Sequence, residues 1–430
     1  MRRFINFIVI FMFIFSLLSY KAFAKDSLSS ISADGIVLMD ATTGEILYSK
    51  NMDTKYPPAS TTKIMTALLA LENCKLDDIV KVGKKPPFAD GSKIYIFEDE
   101  ELTVKDLLHA LILRSANDVS EALAEHISGS TEEFTKLMTK RAAELGAVNT
   151  TFVNPSGLYN ENHRTTAKDL AIIFRELSKY PEFIEIAKTP MYYIQPTNKS
   201  AEKRPLSNEN RLVQKNSAYY YEGCEGGKTG YTVQSKHSYV SIASRNGQRL
   251  IAVLLHDDKK TYWSDVRKLF DYGFENFMLE SFCSKGDVLG KFTVKDNIEI
   301  PLLASEDFYY VKSKDSTEAP KLNINSKDLS ESSFVRGDKI LDGTVTYKDK
   351  QIGTVSLASG EDYSTKSTFL SLKNDSKEGS SVFKIIGTIL LTITFLIIVL
   401  RVRKIILNKK RKKKDKFVRD IYSQRYKDDN

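Results

Sequence analysis

Cysteine is nearly absent from this chain. Of 430 residues only Cys74, Cys224 and Cys283 are cysteine, an odd and sparse set that implies no disulfide framework. Histidine is almost as scarce. His109, His126, His163, His237 and His256 form no H-E-x-x-H cluster, and no cysteine pair has zinc-ligand spacing, so a metal mechanism is disfavoured and no cofactor is implied. Net basic charge is also missing from most of the chain. The formal charge is +8, but residues 401–430 hold thirteen basic against four acidic residues, a net of +9. Arg2, Arg3 and Lys21 add +3, which leaves residues 25–400 at −4. The mildly acidic body argues against nucleic acid as a partner, despite a pI near 9.0.

What is present begins with two apolar runs. Arg2 and Arg3, the run Phe4 to Leu18 and then Ala22-Phe23-Ala24 read as a secretory signal peptide over 1–24, removed before Lys25. Val382 to Leu400 is apolar except for Lys384 near one edge, and is long enough to span a bilayer. Arg401, Arg403, Lys404 and the run Lys409 to Lys414 follow it, so residues 401–430 are expected in the cytoplasm, where this charge suits contact with anionic lipid. The expected localisation is the cell membrane, single-pass, with the body extracytoplasmic.

Between these runs the patterning changes twice. Gly35 to Met39 and Glu45 to Tyr48 read as strands joined by a Gly-containing turn, and Thr61 to about Glu72 reads as a buried helix. Thr103 with Asp106, Ser130 with Glu133 and Thr166 with Asp169 mark three more helix starts. Lys236 to Leu255 alternates toward strand around Asn246-Gly247, the signature of a second hairpin. Hairpin, helical block and hairpin predict an α+β domain, an antiparallel sheet flanked by helices, within 25–277. Ser264 to Met278 is an amphipathic helix candidate. Short alternating runs then predict a small β domain over 282–368, followed by a polar stalk over 369–381.

Three motifs carry chemistry. Ser60-Thr61-Thr62-Lys63 puts a hydroxyl and an amine three residues apart at a helix start, on one face. A neutral lysine there can take the serine proton and make a nucleophile without histidine or metal. Ser115-Ala116-Asn117 falls between two helical stretches, where short polar side chains are well presented, although an ordinary N-cap reads the same way. Gly226 to Thr232, holding Lys228-Thr229-Gly230, places glycines around Lys-Thr so that a ligand can approach the backbone. It lacks the spacing of a phosphate-binding loop and leads toward a strand.

In that order, Ser-x-x-Lys, Ser-x-Asn and Lys-Thr-Gly resemble the active site of the penicillin-recognising serine enzymes. The wider sequence is similar to the D-alanyl-D-alanine carboxypeptidases, the low-molecular-mass penicillin-binding proteins. It matches at Pro57 to Lys63, Thr103 to Leu108, Ser115 to Asp118, Phe152 to Leu158, Thr166 to Ala171, Asn208 to Leu212 and Gly227 to Thr232. The resemblance implies that Ser60 attacks the D-Ala-D-Ala carbonyl with Lys63 as general base. It implies that Ser115 relays a proton to the leaving nitrogen and that Asn117 holds Lys63 and a substrate amide. Lys228 and Thr229, with Gly230 beside them, then bind the terminal carboxylate, and the backbone N–H groups of Ser60 and Tyr231 form the oxyanion hole. The implied partners are the peptidoglycan stem pentapeptide and β-lactams as covalent inhibitors.

Two features depart from the family pattern. An arginine is usual shortly after the last core strand, but here Leu255 is followed by His256-Asp257-Asp258-Lys259-Lys260, leaving Lys259 or Lys260 to substitute. The family also commonly ends in an amphipathic surface helix, whereas Val382 to Leu400 reads as a true span. The alternatives are a β-lactamase-like enzyme and a membrane-anchored penicillin-binding sensor. No glutamate between Asn117 and Lys228 has asparagine four residues on, as a class A β-lactamase requires, and a 30-residue tail has no room for a folded output domain.

Overall fold

The computed structural model describes residues 28–365, 389 and 391–404. Within them the chain divides into two compact units. The first runs to Ser284 and takes in Glu306–Leu322 and Val345–Gly353, while the second comprises Lys285–Ser305, Asn323–Thr344 and the chain from Thr354.

The first unit opens with β1 (Gly35–Asp40) and β2 (Ile46–Lys50), then α1 (Lys63–Asn73), β3 (Ile79–Lys81) and β4 (Glu101–Thr103). A helical block follows: α2 (Val104–Leu113), α3 (Asn117–Ser128), α4 (Thr131–Glu144), α5 (Ala167–Leu177) and α6 (Pro181–Lys188). Next come β5 (Met191–Ile194), β6 (Arg204–Ser207), β7 (Cys224–Thr232), β8 (Lys236–Arg245), β9 (Gln248–Asp257), α7 (Tyr262–Asn276) and β10 (Phe277–Cys283).

The central sheet is antiparallel in the order β2-β1-β9-β8-β7, so the two expected hairpins meet through β1 and β9. Every residue of β1 is buried, because both faces of the sheet are covered. Val37, Met39, Val240, Ile242, Ile251 and Val253 face the helical block, whereas Ile36, Leu38, Tyr239, Ala243, Leu250 and Leu254 pack with Val266, Leu269 and Phe270 of α7. Side chains alternate along each strand, so one strand serves both cores.

The expected caps are in place. Thr103 and Asp106 form a reciprocal capping box on α2, and the Ser130 and Thr166 side chains accept from Glu133 N and Asp169 N. Helix α1 lies deep in the helical core, with residues 63 through 70 all buried. The serine, however, precedes it in a 3-10 turn over Ala59–Thr62, with Ala59 in the left-handed region at φ 50°.

After Ser284 the chain builds β11 (Val288–Thr293), β12 (Glu299–Ala304), β13 (Phe308–Ser313), β14 (Lys321–Ile324), β15 (Lys339–Tyr347) and β16 (Lys350–Ser359). β13 pairs with β10, and the others form an antiparallel-rich sheet in the order β11-β12-β16-β15-β14, the β domain that the alternating runs predict. Of the expected span over 382–400, residues 391–400 are helical and exposed and continue to 404. Among the described residues no helix is long and apolar enough to cross a membrane. The signal peptide and the stalk lie outside the described residues, as does the tail after residue 404.

Candidate active site

The site is assembled where the Ala59–Thr62 turn meets the edge of the sheet. Ser60 sits in that turn, and Lys63, the first residue of α1, is fully buried one turn on. The Lys63 Nζ lies 3.3 Å from Ser60 Oγ, 2.6 Å from Asn117 Oδ1 and 2.6 Å from the Ser156 carbonyl. A neutral amine has two N–H donors and one lone pair. The two carbonyl-type acceptors take the donors, which leaves the lone pair for the serine hydroxyl.

Electrostatics favour that neutral form. Burial drives the Lys63 pKa well below the lysine range, and the Lys228 cation lowers it further, against an upward push from Asp118 and Glu121. Lys228 is itself buried on β7, with its ammonium donating to the Thr229 carbonyl at 2.9 Å. Burial brings it down to about 8, so it stays cationic at neutral pH.

Asn117 opens α3, directly after the turn that follows α2. Its Nδ2 donates to the Asp90 carbonyl at 2.6 Å and its backbone N–H to the Ser92 carbonyl at 2.6 Å, so its side-chain oxygen is aimed from both sides. Asp118, fully buried, accepts from the Ile94, Ile96 and Val119 amides and latches the 90–96 segment against the same helix start. Ser115 is buried in the turn with left-handed backbone, φ 58°. Among the described residues its hydroxyl is in no hydrogen bond, so the structure brings together Ser60, Lys63 and Asn117 but shows no contact that ties Ser115 to them.

The Gly226–Thr232 run does not merely lead into a strand; it is most of β7, an edge strand of the central sheet. Edge position leaves one row of its backbone groups without a strand partner. Gly230 is required by proximity. A Cβ built there would stand 2.8 Å from Ser60 N and 3.1 Å from the Pro58 carbonyl, so only glycine lets β7 lie this close to the nucleophile turn. Tyr231 follows, more than half exposed, with its ring stacked on His237 at 4.5 Å. Thr229 opens onto a cavity of about 610 Å³ shared with Glu209, Arg211, Gln214, Tyr219, Lys260, Tyr262 and Trp263. Lys260 lines it and Lys259 does not.

Several contributors escaped the motif reading. The Ser156 carbonyl binds Lys63, and Gly157 beside it has φ 90°, with no room for a Cβ against the Ala59 carbonyl. The Asn-Pro-Ser-Gly run at 154–157 was the available signal. His163 is buried with Nε2 2.9 Å from Thr62 Oγ1, which braces the residue before Lys63. Arg211 alternates with Asn210, whose Oδ1 accepts from Tyr239 and the Leu212 amide, so the strand-like spacing sends Asn210 into the core and Arg211 to the cavity. Cys224, four residues before Lys228, is buried with its thiol pushed up to about 11 by burial, an inert structural side chain.

This geometry has close parallels. Residues 21–259 match the family model of D-alanyl-D-alanine carboxypeptidase, and residues 277–365 match the penicillin-binding protein 5 C-terminal domain. The D-alanyl-D-alanine carboxypeptidase DacF of Bacillus subtilis is 35% identical over 343 residues, 76% of this chain and 86% of that protein. DacC of Escherichia coli is 32% identical over 280 residues, 62% of this chain and 67% of that protein. Among solved structures, penicillin binding protein 5 from Haemophilus influenzae superposes with a TM-score of 0.67 at 29% identity, covering 78% of this chain and 98% of that one. With its three motifs converging on a buried lysine and with these matches over most of its length, the chain belongs to the D-alanyl-D-alanine carboxypeptidase family of serine peptidases.

Proposed function

We propose that the chain removes the terminal D-alanine of peptidoglycan pentapeptides through an acyl-enzyme at Ser60. Lys63 accepts the Ser60 proton as Oγ attacks the penultimate carbonyl carbon, and the N–H groups of Ser60 and Tyr231 hold the developing oxyanion. Collapse breaks the C–N bond, and the leaving D-alanine nitrogen takes a proton relayed through Ser115. Water, deprotonated by Lys63, then attacks the ester, and Ser60 regains its proton. Lys228 and Thr229 grip the terminal carboxylate, Asn117 supports a substrate amide, and the bare edge of β7 offers backbone partners to the peptide. A β-lactam enters at the acylation step and remains on Ser60, because ring opening leaves no group to depart.

The observation that carries this reading is the fully buried Lys63 amine, 3.3 Å from Ser60 Oγ and held in place by Asn117 Oδ1 and the Ser156 carbonyl. Export by a signal peptide over 1–24 and attachment by a helix over 382–400 belong to the same proposal and would place the site where the wall peptide lies. Ser60→Ala is expected to abolish both labelling by fluorescent penicillin and D-alanine release while the unfolding curve stays unchanged. Labelling that survives the substitution refutes the assignment.

A further inference from the structure

Lys260 reaches the cavity beside Thr229 from the turn between β9 and α7, and that turn is tied at almost every residue. His256 and Lys260 both adopt left-handed backbone, φ 58° and 54°, which residues with a Cβ hold only where their surroundings over-determine it. The register of β8 on β9 slips between His237 and Tyr239, a bulge that redirects the end of β9. His256 Nδ1 is 2.7 Å from the Asp34 carboxylate, and Asp258 pairs with Lys236 at 3.3 Å.

Asp257, the last residue of β9, stands at the start of the turn and is fully buried. Its carboxylate accepts from the backbone N–H groups of Lys259 and Thr261, each at 3.1 Å, and from the Ser32 hydroxyl at 2.5 Å. Burying a carboxylate is costly unless it is fully hydrogen-bonded, and these three donors offset that cost. The two backbone donors flank Lys260. Clamping both leaves its Cα little freedom, a useful constraint for lysine, which lacks the planar fork with which arginine orients itself on a carboxylate.

We propose that Asp257 is a positioning residue for substrate recognition: by clamping the Lys259 and Thr261 amides it holds Lys260 at the cavity, where the Lys260 ammonium binds the terminal carboxylate of the peptide. The proposal rests on the carboxypeptidase reading above. His237, whose imidazole is lowered first by burial and then by the Lys260 charge, stacks on Tyr231, so the field of Lys260 extends to the strand that borders Ser60.

The test uses the full-length protein in detergent and D-alanine release from diacetyl-L-Lys-D-Ala-D-Ala. Lys260→Ala is expected to raise KM about tenfold or more with kcat within about threefold, the signature of lost binding that is equal in the ground and transition states. Lys260→Arg restores KM. Asp257→Asn raises KM in the same way, and the double variant is no worse than Lys260→Ala alone, because a positioning residue has no effect once the group it positions is gone. If Asp257→Asn does not fold, Ser32→Ala, which removes one of the three donors, takes its place in the same cycle. An unchanged KM in Lys260→Ala overturns the proposal, as does an Asp257 or Ser32 effect that adds in full to that of Lys260→Ala. A wild-type protein that neither releases D-alanine nor labels with penicillin fails the underlying reading instead, and so the two failures are told apart.

Discussion

Gly230→Ala tests whether the closeness of β7 to the nucleophile turn sets the rate. The added Cβ would stand 2.8 Å from Ser60 N, 3.0 Å from Ala59 Cβ and 3.1 Å from the Pro58 carbonyl oxygen. Two of the three are backbone atoms and none can swing aside, so the strand and the turn must separate. Moving the Ser60 contact from 2.8 Å to an ordinary 3.4 Å opens the gap by about 0.6 Å. The proposed oxyanion donors, Ser60 N–H and Tyr231 N–H, lie on opposite sides of that gap. A hydrogen bond of about 2.9 Å stretched by that amount leaves the useful range. Losing one oxyanion donor lowers kcat by about a hundredfold to a thousandfold. Overpacking itself destabilises by about 1–3 kcal/mol, which lowers Tm without unfolding the protein at 25 °C. The acylation rate with fluorescent penicillin, the rate of D-alanine release and a thermal unfolding curve would be measured together. A variant within about threefold of wild type in both rates refutes the reasoning, since either the strand is not so close or the oxyanion is not held there.

Two further predictions concern pH. Lys63 serves as a base only when neutral, so kcat/KM rises with pH through its pKa in the free enzyme. Glu121 pushes that pKa up, so Glu121→Gln, which keeps an acceptor for Thr131, shifts the acid limb of the profile to lower pH and leaves the plateau within about twofold. A limb that stays or moves up contradicts the electrostatic account. His163 is lowered from 6.5 to about 4, chiefly by burial and then by Arg164 and Lys63. The unfolded chain takes up this proton below about pH 6.5 and the folded chain only near pH 4, so stability rises with pH across that window and is lost as pH falls through it. The difference amounts to about 3 kcal/mol. His163→Gln is expected to flatten the dependence in urea unfolding at pH 4.5 and 7, and equal slopes in the two proteins would remove His163 as its source.

The three motifs were legible because each is local: Ser60 and Lys63 share a turn, Ser115 and Asn117 share a helix start, and Lys228 to Gly230 share a strand. The sheet was legible from its hairpins, whose alternation reflects side chains leaving a strand on opposite faces. The hydroxyl-capped helix starts were equally plain, because the cap and its amide lie three residues apart. The 3-10 turn at Ser60 was not visible, since a left-handed Ala59 arises from close packing against Gly157 and Gly230 rather than from local propensity.

Sequence alone determined the identities: which hydroxyl, which amine, the order of the motifs and the family that they resemble. Only the tertiary structure decided how those groups are charged and aimed. The pKa of Lys63 depends on burial and on Lys228, which lies 165 positions away in the chain, and its lone pair is directed by the Ser156 carbonyl and Asn117. The choice of Lys260 over Lys259 for the cavity, and the inertness of Cys224, likewise follow from packing. Desolvation and Coulomb terms act through space, and the chain order carries no measure of distance until the sheet and helices close around Ser60.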